Sequence, residues 1–140
     1  MIRNLFFAGV LILGTAGMAI AADAPTDAQI AHIAYTAGQI DISAAEQAIK
    51  KSTNQAVIDF ANLMIADHKA VNDQALALVT ELGVTPEDNP TSQTLSQQAA
   101  DKLAELDKLD GAAFDKAYLD NEVAYHVAVN SALSSLLIPS

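Results

Sequence analysis

Residues 55–82 read QAVIDFANLMIADHKAVNDQALALVTEL. Within this stretch a seam of positions recurs at alternating steps of four and three residues, which is the spacing of the packed face of a helix. The seam consists of Val57, Ala61, Met64, His68, Val71, Ala75, Leu78 and Leu82. All of its members except His68 are apolar. The stretch therefore predicts a long helix with one polar side chain on a face expected to be buried.

The preceding stretch has the same spacing and is interrupted in the same way. Its seam consists of Ile30, Ala34, Ala37, Asp41, Ala44 and Ala48. Only residues 51–54 separate the two predicted helices, with Asn54 as a candidate N-cap, and so short a connection makes them antiparallel neighbours. Facing positions in such a hairpin have a constant sum, which is 108 or 109 for the apolar pairs and 109 for Asp41 and His68. We therefore expect Asp41 and His68 to face each other.

A third long helix is predicted from about Asp110 to about Leu136. Its seam consists of Leu119, Glu122, His126, Val129, Leu133 and Leu136. A carboxylate and an imidazole four positions apart lie on one helix face, where they can bind one ion or each other. The sequence does not set the height of Glu122 and His126 relative to Asp41 and His68.

The remaining segments also favour helix, because no alternating run of Val, Ile, Thr or Tyr indicates a strand. Thr26 can cap the first helix, and Gly83 fits the position that follows the second. A shorter helix is expected over about residues 94–109, crossing or covering the bundle end, after a loop at 84–93. The predicted fold class is all-α, an antiparallel helical bundle of three long helices and one short helix.

The predicted end of the third long helix is apolar, with Leu136, Leu137 and Ile138 close to the last residue. Three interpretations stay open. The short helix completes the core, a second chain covers this end as a homodimer or helical partner, or the sequence is a truncated version of a longer domain.

The first 21 residues resemble a signal peptide. Arg3 gives a basic start, residues 5–13 are apolar, and Ala19 and Ala21 supply the small residues of a cleavage site. We therefore expect a mature domain at residues 22–140, periplasmic or secreted, with no stable membrane span after cleavage. The alternative is an uncleaved anchor over residues 5–22. The chain has no cysteine, which excludes a lipoprotein anchor, disulfides and sulfur-rich metal sites.

The chain is acidic, with a formal net charge of −10. Loss of Arg3 leaves six basic against 17 acidic residues, a net charge near −11. Such a surface opposes binding to nucleic acid and to anionic lipid. It suits cations as ligands, and it also serves simple solubility.

Two stretches resemble motifs of the ferritin-like, exported family called domain of unknown function 4142. Residues 60–68, FANLMIADH, are similar to the family's Phe-Ala-x-x-Met-x-x-Asp-His, and residues 111–118, GAAFDKAY, are similar to its Gly-x-x-Phe-Asp-x-x-Tyr, with His126 downstream. Asp41 falls where the family carries an acidic residue, usually Glu. The resemblance covers essentially the whole mature chain and implies a ferritin-like bundle in the periplasm. It implies no established activity.

The sequence departs from this family pattern in two places. Family members generally continue into another helix with a further histidine, and nothing in this sequence corresponds to it. Tyr125 stands where Asp is common. The first departure weakens the expectation of a complete metal site.

A di-iron centre is the least favoured interpretation, because it needs Glu-x-x-His on two helices and Ile65 and Val123 occupy the glutamate positions. The leading hypothesis is binding of a divalent metal or a small ligand, with Asp41, His68, Glu122 and His126 as candidate ligands for Zn, Mn, Fe or Cu. The alternative is a metal-free interaction or structural module in which these residues form a hydrogen-bonded polar layer. Binding or structure is favoured over catalysis.

Overall fold

The computed structural model describes residues 24–134. Over this range the chain forms four helices and no strand: α1 (Asp27–Lys51), α2 (Gln55–Glu81), α3 (Pro90–Asp107) and α4 (Gly111–Ala132). The all-α prediction is confirmed, and α3 is the shortest helix at 18 residues. The predicted signal peptide and the apolar residues 136–138 lie outside the described residues. None of the four helices is both long enough and apolar enough to span a membrane.

The predicted helix ends depend on local hydrogen bonds, and most of them are confirmed. Thr26 forms a capping box with Gln29, in which each side chain accepts from the other's backbone N–H at 3.3 and 3.1 Å. Asn54 Oδ1 accepts from the Ala56 N–H at 3.1 Å. Gly83 follows α2 with a φ of 70°, a left-handed conformation that glycine adopts without steric strain.

The prediction of a loop over residues 84–93 is wrong for its last four residues, because α3 begins at Pro90. The Asn89 side chain accepts from the backbone N–H groups of Thr91 and Ser92, both at 3.1 Å. Pro90 occupies the first helical position, where a missing N–H costs nothing. A proline that indicates a loop in isolation is therefore the first residue of a helix when a capping residue precedes it.

Helix α3 lies alongside α1 in the same direction, so the prediction that it crosses or covers the bundle end is wrong. Gln47 Nε2 donates to the Leu103 carbonyl and Lys51 Nζ to the Asp107 carbonyl, and both contacts have the same sequence offset of 56. A constant offset indicates parallel helices. Because short connections join α1 to α2 and α3 to α4, the four helices run up, down, up and down, and α1 packs against the other three.

The core lies at one end of the bundle, next to the connections at residues 52–54 and 108–110. Its buried members are mostly small or aromatic, and they are Ala44, Ala45, Ala48, Val57, Ala61, Leu106, Phe114 and Tyr118. The opposite end is looser. The expectation that the whole α2 seam is buried is wrong there, since Val71, Leu78 and Leu82 are 60%, 55% and 65% exposed. Within residues 24–134 no helix covers this half of α2 tightly.

Gly38 allows α1 and α2 to approach closely at the level above Asp41. A Cβ at this position would lie 2.4 Å from Oδ1 of the buried Asn72, whose Nδ2 donates to the Tyr35 carbonyl at 3.4 Å. Gly38→Ala is expected to lower the free energy of unfolding by about 1–3 kcal/mol, although alanine is the better helix former by about 0.5–1 kcal/mol. Urea unfolding measures this difference.

The double variant Gly38→Ala/Asn72→Ala provides the control. Removal of the Asn72 amide removes the clash, so Gly38→Ala should be neutral or stabilising in that background. Equal destabilisation in both backgrounds would contradict the close contact.

Candidate metal centre

Three of the four predicted site residues converge where the compact core ends. They come from three helices, with Asp41 on α1, His68 on α2 and His126 on α4. His68 Nε2 lies 3.3 Å from Asp41 Oδ2, which confirms the predicted facing pair, and His126 Nε2 lies 3.9 Å from the same oxygen. One ligand atom from each residue lies within 4.8 Å of the other two. Asp41 is 2% exposed and therefore depends on these neighbours for its charge balance.

Glu122, the fourth predicted residue, joins the cluster through Asp41. It is 2% exposed, and its carboxyl group is close enough to Asp41 to share a hydrogen bond, which requires a proton on one of the two groups. Burial raises the pKa of Glu122 to about 8, and the hydrogen bond to Asp41 and the Asp41 charge contribute in the same direction. The Asp41 charge therefore opposes ionisation of Glu122.

The His126 ring is oriented by its own helix. Nδ1 lies 2.8 Å from the Glu122 carbonyl oxygen, which can only accept a hydrogen bond, so Nδ1 is the donor. In a neutral ring, Nε2 then carries the lone pair and faces the Asp41 carboxylate. Histidine ligands of metals show this same arrangement, with one ring nitrogen held by a backbone carbonyl and the other bound to the ion.

Several buried oxygens of the site have no hydrogen-bond partner among the described residues. They are Asp41 Oδ1, Glu122 Oε2 and the Tyr118 hydroxyl. Burial raises the pKa of Tyr118, as do the charges of Glu122 and Asp41, so this hydroxyl stays protonated. A buried acceptor without a donor is costly, so Asp41 Oδ1 and Glu122 Oε2 need either the proton that the two carboxyl groups share or a bound cation.

A single cation fits the separation of each histidine from Asp41. Two ligand atoms bound to one ion at about 2.1 Å and at a tetrahedral angle lie about 3.4 Å apart. The separations of 3.3 and 3.9 Å from Asp41 Oδ2 are close to this value. Small movements of the two rings would therefore allow Asp41, His68 and His126 to bind the same ion.

Tyr125 positions α4 next to the cluster. Little in the amino-acid sequence predicts this role. The Tyr125 hydroxyl donates to the Ala37 carbonyl at 3.0 Å, which holds α4 against α1 beside Asp41. Burial raises the pKa of Tyr125, and the Asp41 and Glu122 charges add to this effect. Its position next to His126 is the one signal that could have indicated a positioning role.

The third histidine of the chain lies outside the cluster. His32 Nδ1 is 3.5 Å from the Thr36 hydroxyl and 3.8 Å from the exposed Asp88 carboxylate. Its ring nitrogens are not among the ligand atoms that cluster with Asp41. A His32 variant can therefore serve as a control for variants of the site.

The comparison with known families covers almost the entire chain. The family model described as a domain of unknown function, DUF4142, matches residues 14–139. The chain belongs to this family. No curated protein and no solved structure matches it. The DUF4142 description names no activity, so the function of this DUF4142 chain has to be argued from its own side chains.

Proposed function

We propose that this DUF4142 domain binds one divalent transition-metal ion through Asp41, His68 and His126, with Glu122 beside the ion. One observation carries the proposal: two imidazole nitrogens and a buried carboxylate, supplied by three different helices, lie within 4.8 Å of one another. Two nitrogens and one or two carboxylate oxygens suit Zn, Mn, Fe or Cu. The unpartnered Asp41 and Glu122 oxygens support the same conclusion.

Storage or oxidation of iron in a di-iron centre has less support. The two glutamates that such a centre needs three positions before each histidine are replaced by Ile65 and Val123. Val123 is also 67% exposed and lies away from the cluster. The site therefore has ligands for one ion, and binding is a better supported function than di-iron chemistry.

The proposed ion acts outside the cytoplasm. This part of the proposal rests on the basic start, the apolar run and the Ala19-Ile20-Ala21 cleavage pattern of the first 21 residues. A net charge of −10 agrees with a cation as the ligand. The export of the domain and its ferritin-like relationship stay predictions.

Metal analysis tests the proposal directly. Protein expressed from the full chain and purified without an affinity tag is expected to hold near-stoichiometric metal by plasma mass spectrometry. The variant His68→Ala/His126→Ala is expected to hold none, because it retains at most two carboxylates. A strong chelator should lower the melting temperature of the wild type by about 10 °C. A free metal concentration of about 100 times the dissociation constant stabilises the fold by about 2.7 kcal/mol, and the chelator removes this stabilisation.

His32→Ala is the matched control and should retain both the metal and the chelator response. Absence of metal from the wild type, even after loading with Zn²⁺, Mn²⁺, Fe²⁺ and Cu²⁺, would reject the proposal.

A metal-free interaction module is the second candidate, and the exposed face of α4 favours it. Leu119, Val123 and Val127 are 38%, 67% and 65% exposed, and they border a groove of about 530 Å³ together with Phe60 and Met64. A second copy of the chain presents the same apolar surface, which would allow symmetric pairing through α4. This alternative predicts a melting temperature that rises with protein concentration and does not respond to the chelator.

A further inference from the structure

A cavity of about 550 Å³ occupies the loose end of the bundle. All four helices contribute to its wall, which is mostly alanine, valine, leucine and isoleucine. Its size falls within the range of about 300–1,000 Å³ that holds small organic ligands. The space exists because several wall positions, among them Ala34, Ala37, Ala99 and Ala128, carry only a methyl group.

The candidate metal centre is part of the cavity wall, to which Asn72, Asn121, Tyr125 and Asn130 also contribute polar side chains. Asp41, His68 and His126 all line it, and the side chains of the two histidines are 24% and 40% exposed. An ion bound to them would therefore face the cavity on one side. A metal site with an open side can accept a further ligand, as catalytic and transport sites do and closed structural sites do not.

The apolar part of the wall is a poor surface for water. Val71 and the alanines of the wall offer no hydrogen bond, and Val71 is 60% exposed. Burial of such surface by an apolar ligand is favourable by about 25 cal/mol for each Å² removed from water. The polar residues that α3 contributes, Gln98 and Lys102, are exposed, so they belong to the rim.

We infer that the cavity binds a small carboxylic acid with an apolar body, whose carboxylate completes the coordination of the ion while its hydrocarbon part fills the alanine-rich wall. This inference rests on the proposed metal site. Asp41, His68 and His126 supply three donor atoms, and a carboxylate oxygen would supply the fourth that a tetrahedral ion such as Zn²⁺ takes. The acidic surface of the protein slows the approach of an anion, and the ion itself supplies the local attraction.

Cobalt-loaded protein provides the test, because the visible absorption of Co²⁺ changes when a ligand joins its coordination sphere. The probes are octanoate, acetate and octanol. Octanoate is expected to change the spectrum at a concentration at least about ten-fold below that of acetate, since its chain is buried. Octanol, which lacks the carboxylate, should leave the spectrum unchanged.

Ala99→Leu separates cavity binding from simple carboxylate binding. Ala99 is half-buried in the wall on α3, which supplies no ligand to the ion, so the larger side chain should remove the octanoate advantage and leave Co²⁺ and acetate binding intact. The neighbouring Ala100 is exposed and outside the wall, and Ala100→Leu should behave as the wild type.

The possible results lead to different conclusions. Equal affinities for octanoate and acetate, or an octanoate advantage that survives Ala99→Leu, would overturn the inference and leave the metal site in place. Failure of the wild type to bind Co²⁺ and the other divalent ions would reject the proposed metal site, and the inference that rests on it would be rejected as well.

Discussion

Asp41→Asn is expected to weaken Zn²⁺ binding by at least about 100-fold, equivalent to about 2.7 kcal/mol. The amide retains the shape of the side chain and removes its charge. Asp41 is the residue that both histidines approach, at 3.3 and 3.9 Å, and it lies at 2% exposure, where charge interactions are screened little by water. Competition against a chromophoric chelator measures the change in affinity.

Asp67→Asn is the matched control for this experiment. Asp67 precedes His68 in the sequence but is exposed and points away from the cluster, so its variant should bind Zn²⁺ as the wild type does. Wild-type affinity in Asp41→Asn would show that the ion binds elsewhere. The truncation Asp41→Ala should also lower the free energy of unfolding of the metal-free protein by about 1–3 kcal/mol, because His68 loses its partner.

The metal-free protein is expected to become less stable as the pH rises from about 5 to about 8.5. The Glu122 pKa is raised to about 8 in the folded state from an ordinary value of 4.5. Between these pH values the unfolded state releases a proton that the folded state keeps. The contribution of Glu122 to the free energy of unfolding is therefore fully present at low pH and is lost as the pH rises. We expect a loss of about 1–3 kcal/mol, less than the full shift implies, because water entering the site relieves part of the burial.

Urea unfolding of chelator-treated protein at several pH values tests this expectation. Glu122→Gln keeps the side-chain shape without the ionisation and should flatten the pH dependence. Other ionisable groups face Glu122, namely Asp41 from α1, His68 from α2 and Tyr118 and His126 from α4, so the test compares the variant with the wild type. Glu46→Gln, at an exposed position of α1, should leave the pH dependence as it is. The same slope in all three proteins would exclude Glu122 as its source.

The sequence was sufficient to predict the hairpin and half of the site. Alternating steps of four and three residues indicate a packed face, and a short connection sets the register of two antiparallel helices, so the pairing of Asp41 with His68 followed from arithmetic. Thr26 and Asn54 marked helix starts because a capping side chain has a local hydrogen-bond partner.

Contacts between distant segments were not predictable in this way. The height of Glu122 and His126 along the bundle depends on how α4 packs against α1. The hydrogen bond from the Tyr125 hydroxyl to the Ala37 carbonyl helps to fix this packing. The close approach of Gly38 to Asn72 was missed as well, although a glycine in the middle of a long helix is a usable signal.

Helical periodicity also overestimated the burial of α2. It shows that one face of a helix is apolar, but it does not show that another helix covers that face. Val71 and Leu78 follow the seam spacing and are nevertheless more than half exposed. Val71 lines the alanine-rich cavity, whose local sign in the sequence is small residues at wall positions such as Ala34, Ala37 and Ala99.

The division of the ligands between a hairpin and a later helix has a kinetic consequence. Asp41 and His68 belong to α1 and α2, which a three-residue connection joins, so their half of the site forms by local contacts as soon as the hairpin folds. His126 arrives only when α4 docks. An ion held by all three residues would therefore leave most readily after local detachment of α4, and its residence time would report how often that helix opens.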